Sequence, residues 1–336
     1  MDQFPGSLLD IEYYLPETIV TNNFFRENYP EWKVDQTQKK TGVLERRVAR
    51  ADETAYDLAL MAVKQLLNNH PSLVDKIDAI IFCTQTPDYI MPSNAFLLQK
   101  DLGLNKTTMA FDYNLACSGY IYGLAMASSF TRTGLTKNVL LVTADTYSKY
   151  LDENDRATRL LFGDAASASW IGSSDNCGFM PMISAFKDFH FGTDGSGWNK
   201  FIIKSGGNRQ PASLGHEAGY SDKIYMNGIQ IVNFVNHLVV KQMFELLSKH
   251  GMSVENIDQF FIHQASGMAL ECIASKLKID RKKMFSNMEI IGNTVSSSLP
   301  ILIKDYFSHT EIKKGSRLFL SGFGVGFSWG SMLATK

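Results

Sequence analysis

Three short segments of this chain recur in the same order at nearly one spacing. VKQLL at residue 63 returns as VKQMF at 240, IDAIIFC at 77 as IDQFFIH at 257, and VLLVTA at 139 as RLFLSG at 317, shifts of 177, 180 and 178 residues. Each match alone is weak, because apolar strands resemble one another by chance. The common shift is what indicates two copies of one supersecondary unit. The join falls near SSDNCG, residues 173–178, which divides the chain into an N-terminal half, 1–176, and a C-terminal half, 177–336.

The repeated segments are short apolar runs (DAIIFCTQ, NVLLVTAD, DQFFIHQ, SRLFLSGFG) alternating with helical patterns such as AYDLALMAVKQLLNN and GIQIVNFVNHLVVKQMFELLSKH. That alternation predicts α/β layering with buried strands. At 336 residues and 45% apolar content the chain can fill a sizeable core. Lys plus Arg (33) nearly cancels Asp plus Glu (34), so no overall basic field exists to hold a nucleic acid or an anionic membrane. Cys83, Cys117, Cys177 and Cys272 form no CxxC pair and no zinc-type cluster with histidine. This fits a reducing compartment. The N-terminus lacks a signal-peptide pattern and no apolar run reaches about 18 residues, so a cytoplasmic protein without a membrane span is expected.

Duplication also places candidate chemistry. Subtracting the shift from GNTVSSSLP at 292 lands on the ACSGYIYGL segment, so Cys117 and Asn293 occupy corresponding loop-to-helix junctions, and His263 corresponds to Cys83 at a strand end. Two halves packed about a pseudo-dyad would bring Cys117, His263 and Asn293 to one crevice. A helix N-terminus favours a thiolate at Cys117; the plain alternative is a small core residue, which is the reading for Cys83, Cys177 and Cys272. His263 can exchange a proton or be a satisfied structural histidine, and Asn293 can donate to an oxyanion or merely make a turn. GFGVGFSWG at 322–330 brings backbone to close range rather than cradling phosphate, since no Lys-Ser/Thr follows. Asp164 in LLFGDAASASW reads as structural. Residues 185–225 read as a loop-rich cap over the site, with His216 in it exposed and structural.

With YLPETIVTN at 14, KKTGVLERR at 39, MPSNAFLLQKDLGL at 91, the Cys117 segment, LFGDAASA at 161, IHQAS at 262, GNTVSSSLP at 292 and GFGVGFSWG at 322 in order, the chain resembles a β-ketoacyl-ACP synthase III of the thiolase superfamily over nearly its whole length. The resemblance implies a five-layered αβαβα homodimer. It implies that Cys117 takes an acyl group from acyl-CoA or an acyl-ACP donor, with the N–H groups of Cys117 and Val325 as oxyanion hole. His263 and Asn293 would then stabilise the enolate formed as malonyl-ACP loses carbon dioxide, in fatty-acid- or polyketide-type biosynthesis. No metal, flavin or nicotinamide is implied.

The implied substrate-binding positions are Lys40, Met91, Arg156, Ser266, Met268 and Gly324. Several depart from the family pattern. Ser266 replaces the Asn of HQAN, and Met268 replaces an Arg that receives acyl carrier protein, leaving Lys276 and Lys278 to meet an acidic carrier. Lys40 and Gln36 stand where the family grips CoA with Arg and Trp, which favours an ACP-bound donor or a different CoA pose. Met91 stands where a partner subunit's Phe closes the acyl pocket, which favours a primer longer than acetyl. Two other functions share these residues: transfer of the acyl group to a hydroxyl or amine, and a non-catalytic partner subunit of a synthase. A cysteine hydrolase fits less well, because the apolar surroundings of Cys117 shield an acyl intermediate from water.

Overall fold

The computed structural model describes residues 6–173, 179–211 and 221–336. Its strands are β1 (Ser7–Tyr14), β2 (Thr18–Thr21), β3 (Glu45–Val48), β4 (Ala79–Cys83), β5 (Met109–Tyr113), β6 (Asn138–Asp145), β7 (Ala165–Gly172), β8 (Ala185–Thr193), β9 (Phe201–Ile202), β10 (Tyr225–Met226), β11 (Gln259–Ile262), β12 (Arg317–Gly324) and β13 (Ser328–Thr335). One sheet has the order β1-β7-β6-β4-β5 and another β11-β12-β13-β8, with β2-β3 and β9-β10 as separate ribbons.

The two larger sheets are the same sheet built twice. In each, the first strand pairs antiparallel with the last (β1 with β7, β8 with β13), the last is antiparallel to the next inward (β6, β12), and that one is parallel to the strand beyond (β4, β11). Where β5 continues the first sheet, the second keeps only an isolated parallel bridge from Phe260 to Met284. Even an irregularity repeats. The register slips between Leu8 and Asp10 in β1 and opposite Lys187 in β8, so the unpaired residues Leu9 and Lys187 stand 178 positions apart.

Helices Gly119–Arg132 and Ser298–His309 form the middle layer. Ile121, Leu124, Leu299, Leu302 and Ile303 share one core with Ile81 and Leu141 of the first sheet and Leu318, Leu320 and Met332 of the second. Helix Ala55–Asn69 covers the other face of the first sheet. It starts at a capping box between Thr54 and Asp57, buries Leu58, Ala59, Ala62, Val63 and Leu66 at helical spacing, and ends at His70 before Pro71. Helix Val240–Lys249 covers the outer face of the second sheet, burying Met243, Leu246 and Leu247 in the core that also holds Phe260 and Phe319. The result is the αβαβα stack of two duplicated halves.

Buried serines and threonines let these layers approach closely while meeting one another's hydrogen-bonding needs. Thr143 Oγ1 of β6 lies 2.8 Å from both Ser167 Oγ of β7 and Ser297 Oγ at the start of the central C-terminal helix. The reading of 185–225 as a cap is corrected in part. Ala185–Thr193 is an edge strand of the second sheet, with Phe186 fully buried, and only the stretch after it is loop-rich. The sequence AFKDFHFGT hides this because one face of an edge strand alternates with exposed polar groups. The proposed join at 176/177, Cys177 and His216 lie outside the described residues.

The halves lock where two loops cross. Gly163 N donates to Asn293 O at 3.0 Å and Asn293 N to Leu161 O at 2.9 Å. A Cβ at Gly163 would sit 2.4 Å from the Ile291 carbonyl oxygen, and one at Gly292, which has φ +72°, 2.8 Å from the Leu161 carbonyl oxygen. Backbone cannot retreat as a flexible side chain can. Gly163→Ala is expected to cost about 1–3 kcal/mol of stability and to displace Asn293, so the urea midpoint and any activity that depends on Asn293 should fall together. Undiminished activity in a stable variant would refute the coupling.

Candidate active site

After β5 the chain turns through Asn114–Ala116 and enters helix Gly119–Arg132, with Gly119 N bonded to Ala116 O at 2.7 Å and Ile121 N to Ser118 O at 3.1 Å. Cys117 therefore stands at that helix's N-terminus, 4% exposed. The β12–β13 turn presses against it. A Cβ at Gly324 would lie 2.9 Å from Cys117 Cβ and 3.2 Å from its Sγ, and one at Gly322 would lie 2.6 Å from the Cys117 carbonyl oxygen. The GFG segment thus brings backbone to close range beside Cys117. Burial, reinforced by the nearby Asp145 carboxylate, pushes the Cys117 thiol well above its ordinary value. The helix terminus alone does not produce a resting thiolate.

His263 continues β11, its N–H donating to Ser321 O at 2.8 Å. The Phe323 ring meets the imidazole edge-on at 5.6 Å, and Nδ1 is buried with no hydrogen-bond partner. Burial lowers its pKa from 6.5 to about 3, so the imidazole is neutral at physiological pH. Asn293 is held by its side chain as well as its backbone: Nδ2 donates to Ala265 O at 3.3 Å and Oδ1 accepts from Val295 N at 3.0 Å.

All three line one cavity of about 750 Å3. Lys40, Arg156, Ser266, Met268 and Gly324 line it too. Ser266 caps helix Gly267–Leu277, its Oγ accepting from Ala269 N, so the departure from HQAN leaves the local helix start satisfied. Val325, half-buried, follows Gly324 in the turn beside Cys117. Met91 does not line the cavity; it is 82% exposed on the loop after β4. Lys276 is tied to the Asn236 carbonyl, and Lys278 follows the helix in a left-handed conformation. Among the described cysteines, Cys83 is fully buried with its thiol on Leu115 O, and Cys272 contacts Asn236. Asp164 accepts from Ala49 N and Ser148 N, as a structural turn residue does.

Sequence reasoning missed two parts of the site. One wall is aromatic and apolar, from Leu161, Phe162 and Phe201 together with Ile231, Val232 and Val235 of a helix that widens into a π-turn at Val235–Val239. The other lies outside the cavity lining: Asp145, at the end of β6 and 1% exposed, acts on Cys117 through its charge, and it accepts from Gln85 N at 2.8 Å and from Ser296 Oγ at 2.5 Å. Burial raises its pKa to about 7. Nothing in NVLLVTAD distinguishes that carboxyl from a strand-end turn residue. Among the described residues no group of three His, Cys, Asp or Glu side chains is placed to hold a metal ion, and no helix is long and apolar enough to cross a membrane.

The two buried groups have opposite pH signatures. His263 is harder to protonate folded than unfolded, so its contribution is lost as pH falls from 6.5 towards 3; Asp145 holds its proton more tightly folded, so its contribution is lost as pH rises from 3.8 towards 7. Wild type should therefore lose about 2–3 kcal/mol more than His263→Gln between pH 7 and about pH 4.5. Equal losses in urea unfolding at the two pH values would show that His263 protonates freely.

The family model for 3-oxoacyl-[acyl-carrier-protein (ACP)] synthase III matches residues 111–195, and the model for that family's C-terminal part matches 247–336. The chain is 33% identical over 326 residues to a β-ketoacyl-[acyl-carrier-protein] synthase III of Clostridioides difficile strain 630, covering 97% of each. It is 35% identical over 329 residues to one of Clostridium perfringens strain ATCC 13124, covering 98% of each. A 2.1 Å crystal structure of a 3-oxoacyl-(acyl-carrier-protein) synthase III superposes with a TM-score of 0.91 at 40% identity, covering 99% of this chain and 100% of that one. The chain belongs to the 3-oxoacyl-[acyl-carrier-protein] synthase III family.

Proposed function

We propose that this enzyme is an acyltransferase that catalyses decarboxylative condensation of a primer with malonyl-ACP in fatty-acid- or polyketide-type biosynthesis. The observation that carries the site assignment is the convergence of Cys117, His263 and Asn293, from three separate turns, on one cavity. Cys117 attacks the donor thioester, and its proton ends on the departing thiol of CoA or of the carrier's pantetheine arm. The N–H groups of Cys117 and Val325 receive the oxyanion. Lys40 and Arg156, both on the cavity wall, offer positive charge to the donor's phosphates.

In the second half-reaction the malonyl carboxylate leaves as carbon dioxide while charge builds on the thioester oxygen. A neutral His263 donates a hydrogen bond to that oxygen without carrying a charge into an apolar site, and Asn293 Nδ2 donates the second. The enolate carbon attacks the Cys117 thioester carbonyl, the carbon–sulfur bond breaks, and the released thiolate takes up a proton from solvent to restore the thiol. Each donor is worth about 2.7–4 kcal/mol in such a site. Cys117→Ser should therefore show no acyl mass increase, whereas His263→Ala and Asn293→Ala should still acylate but release carbon dioxide from malonyl-ACP roughly 10²–10³ times more slowly. An acyl-enzyme that passes its group to a hydroxyl or amine while malonyl-ACP stays intact would favour the ester- or amide-forming reading.

We place the enzyme in the cytoplasm as a homodimer. Cys83, Cys117 and Cys272 are free thiols, which suits a reducing compartment. Tyr89, Ile90 and Met91 present a contiguous apolar loop, 58%, 94% and 82% exposed, of the kind a partner subunit covers. Ile90→Asp should shift the sedimentation coefficient from dimer to monomer; a monomeric wild type would contradict the assignment.

A further inference from the structure

A second cavity, of about 280 Å3, shares the Phe162 ring with the one that Cys117 lines. Arg46, Arg50, Lys149 and Arg159 line it, and no Asp or Glu does. The rest of its wall is mostly apolar and includes Val20, Phe25 and Leu151. Its volume stands at the small end of ligand pockets, which suits a compact molecule rather than an extended chain.

Three of these cations have no counter-charge. Arg50 is paired with Asp52 at 3.2 Å and Glu53 at 3.1 Å, whereas among the described residues Arg46, Lys149 and Arg159 form no ion pair. The Arg46 and Arg159 guanidiniums instead lie over one ring, that of Phe25, at 5.1 and 5.3 Å from its centre. Arg46 is 1% exposed. Its Nη1 donates to Val20 O and its Nη2 to Asn22 Oδ1 and Leu160 O, but its buried Nε has no hydrogen-bond partner. Burial lowers the Arg46 pKa to about 10, with Arg159 adding to the shift and Glu45 opposing it. Arg159 spends Nη1 on Tyr29 Oη and Glu153 O, and Lys149 Nζ donates to Ala51 O at 3.0 Å, which leaves donors of both side chains to spare. The neighbouring acid Asp164 is taken up by Ala49 N and Ser148 N. Buried charge without a partner is costly, and a bound anion removes that cost.

We propose that this cavity is a second ligand site, separate from the one that Cys117 lines, and that it takes a small phosphate monoester. The dianionic phosphate meets Arg46, Lys149 and Arg159, and the ester's apolar body rests against Val20, Leu151 and Phe162. A phosphate offers two charges and three free oxygens to three cations, where a carboxylate offers one charge and two oxygens. The site goes beyond the condensation proposed above and stands independently of it.

The test is isothermal titration calorimetry of the full-length protein with phenyl phosphate, inorganic phosphate and benzoate. Phenyl phosphate should bind once per chain, roughly fivefold or more tighter than inorganic phosphate and roughly tenfold or more tighter than benzoate. Lys149→Gln and Arg159→Gln should each weaken it about tenfold, whereas Arg156→Gln, on the wall of the Cys117 cavity, should leave it unchanged. Lys149 is half-buried and bonded only to a loop carbonyl, so Lys149→Gln should keep the wild-type urea midpoint, and a loss of affinity there reports the site rather than the fold. No binding of phenyl phosphate, an affinity matched by inorganic phosphate or benzoate, or binding that survives both Lys149→Gln and Arg159→Gln would overturn the proposal. Binding that falls in Arg156→Gln instead would overturn it by placing the ligand in the Cys117 cavity.

Discussion

Two backbone hydrogen bonds between Leu161–Gly163 and Asn293 hold one half of the molecule against the other beside the cavity that Cys117, His263 and Asn293 line. Each is worth only about 1 kcal/mol net. Their importance is geometric, because they fix how closely the halves meet. With glycines on both sides of the crossing, the Asn293 amide reaches the same cavity as Cys117 although 176 residues of chain separate them. The wider seam repeats the logic. Thr143, Ser167 and Ser297 share hydroxyl contacts, and Ser296 meets Asp145, so small side chains that satisfy each other replace the larger apolar residues that would force the layers apart.

That closeness sets the electrostatics. Excluding water makes Cys117 harder to ionise and His263 harder to protonate. At first sight this works against a nucleophile. In the reaction we propose, the gain is that the site's hydrogen-bond donors act at low dielectric on charge that develops only during reaction, where they are worth more than in water. A permanent thiolate or imidazolium would need desolvated counter-charges of its own. Neutral groups aimed at a transient oxyanion need none, and a dry acyl thioester is also spared from hydrolysis.

Much of this was legible in the sequence, because duplication is a long-range signal that survives the loss of individual identities. The shift near 178 residues paired the strands that the two sheets do pair, and it set Cys117 and Asn293 at matching helix starts. Helix Ala55–Asn69 was visible for a local reason: a capping box, helical spacing of apolar residues and a following proline agree with one another. What stayed hidden depended on contacts between segments remote in sequence. Asp145 acquires its character only when Gln85 and Ser296 close over it, and β8 becomes core only beside β13. The thiolate expectation for Cys117 weighed a helix terminus, a local feature, without the burial that outweighs it.

The most direct test of the account is a single turnover of the pre-acylated enzyme with malonyl-ACP carrying a labelled free carboxyl group, following acyl-enzyme mass and labelled carbon dioxide together. The account predicts that the acyl group leaves Cys117 with one carbon dioxide released per acyl group lost, at matched rates, and that a β-ketoacyl-ACP accumulates in equal amount. Loss of the acyl group without carbon dioxide, or carbon dioxide release while the acyl-enzyme persists, would contradict it.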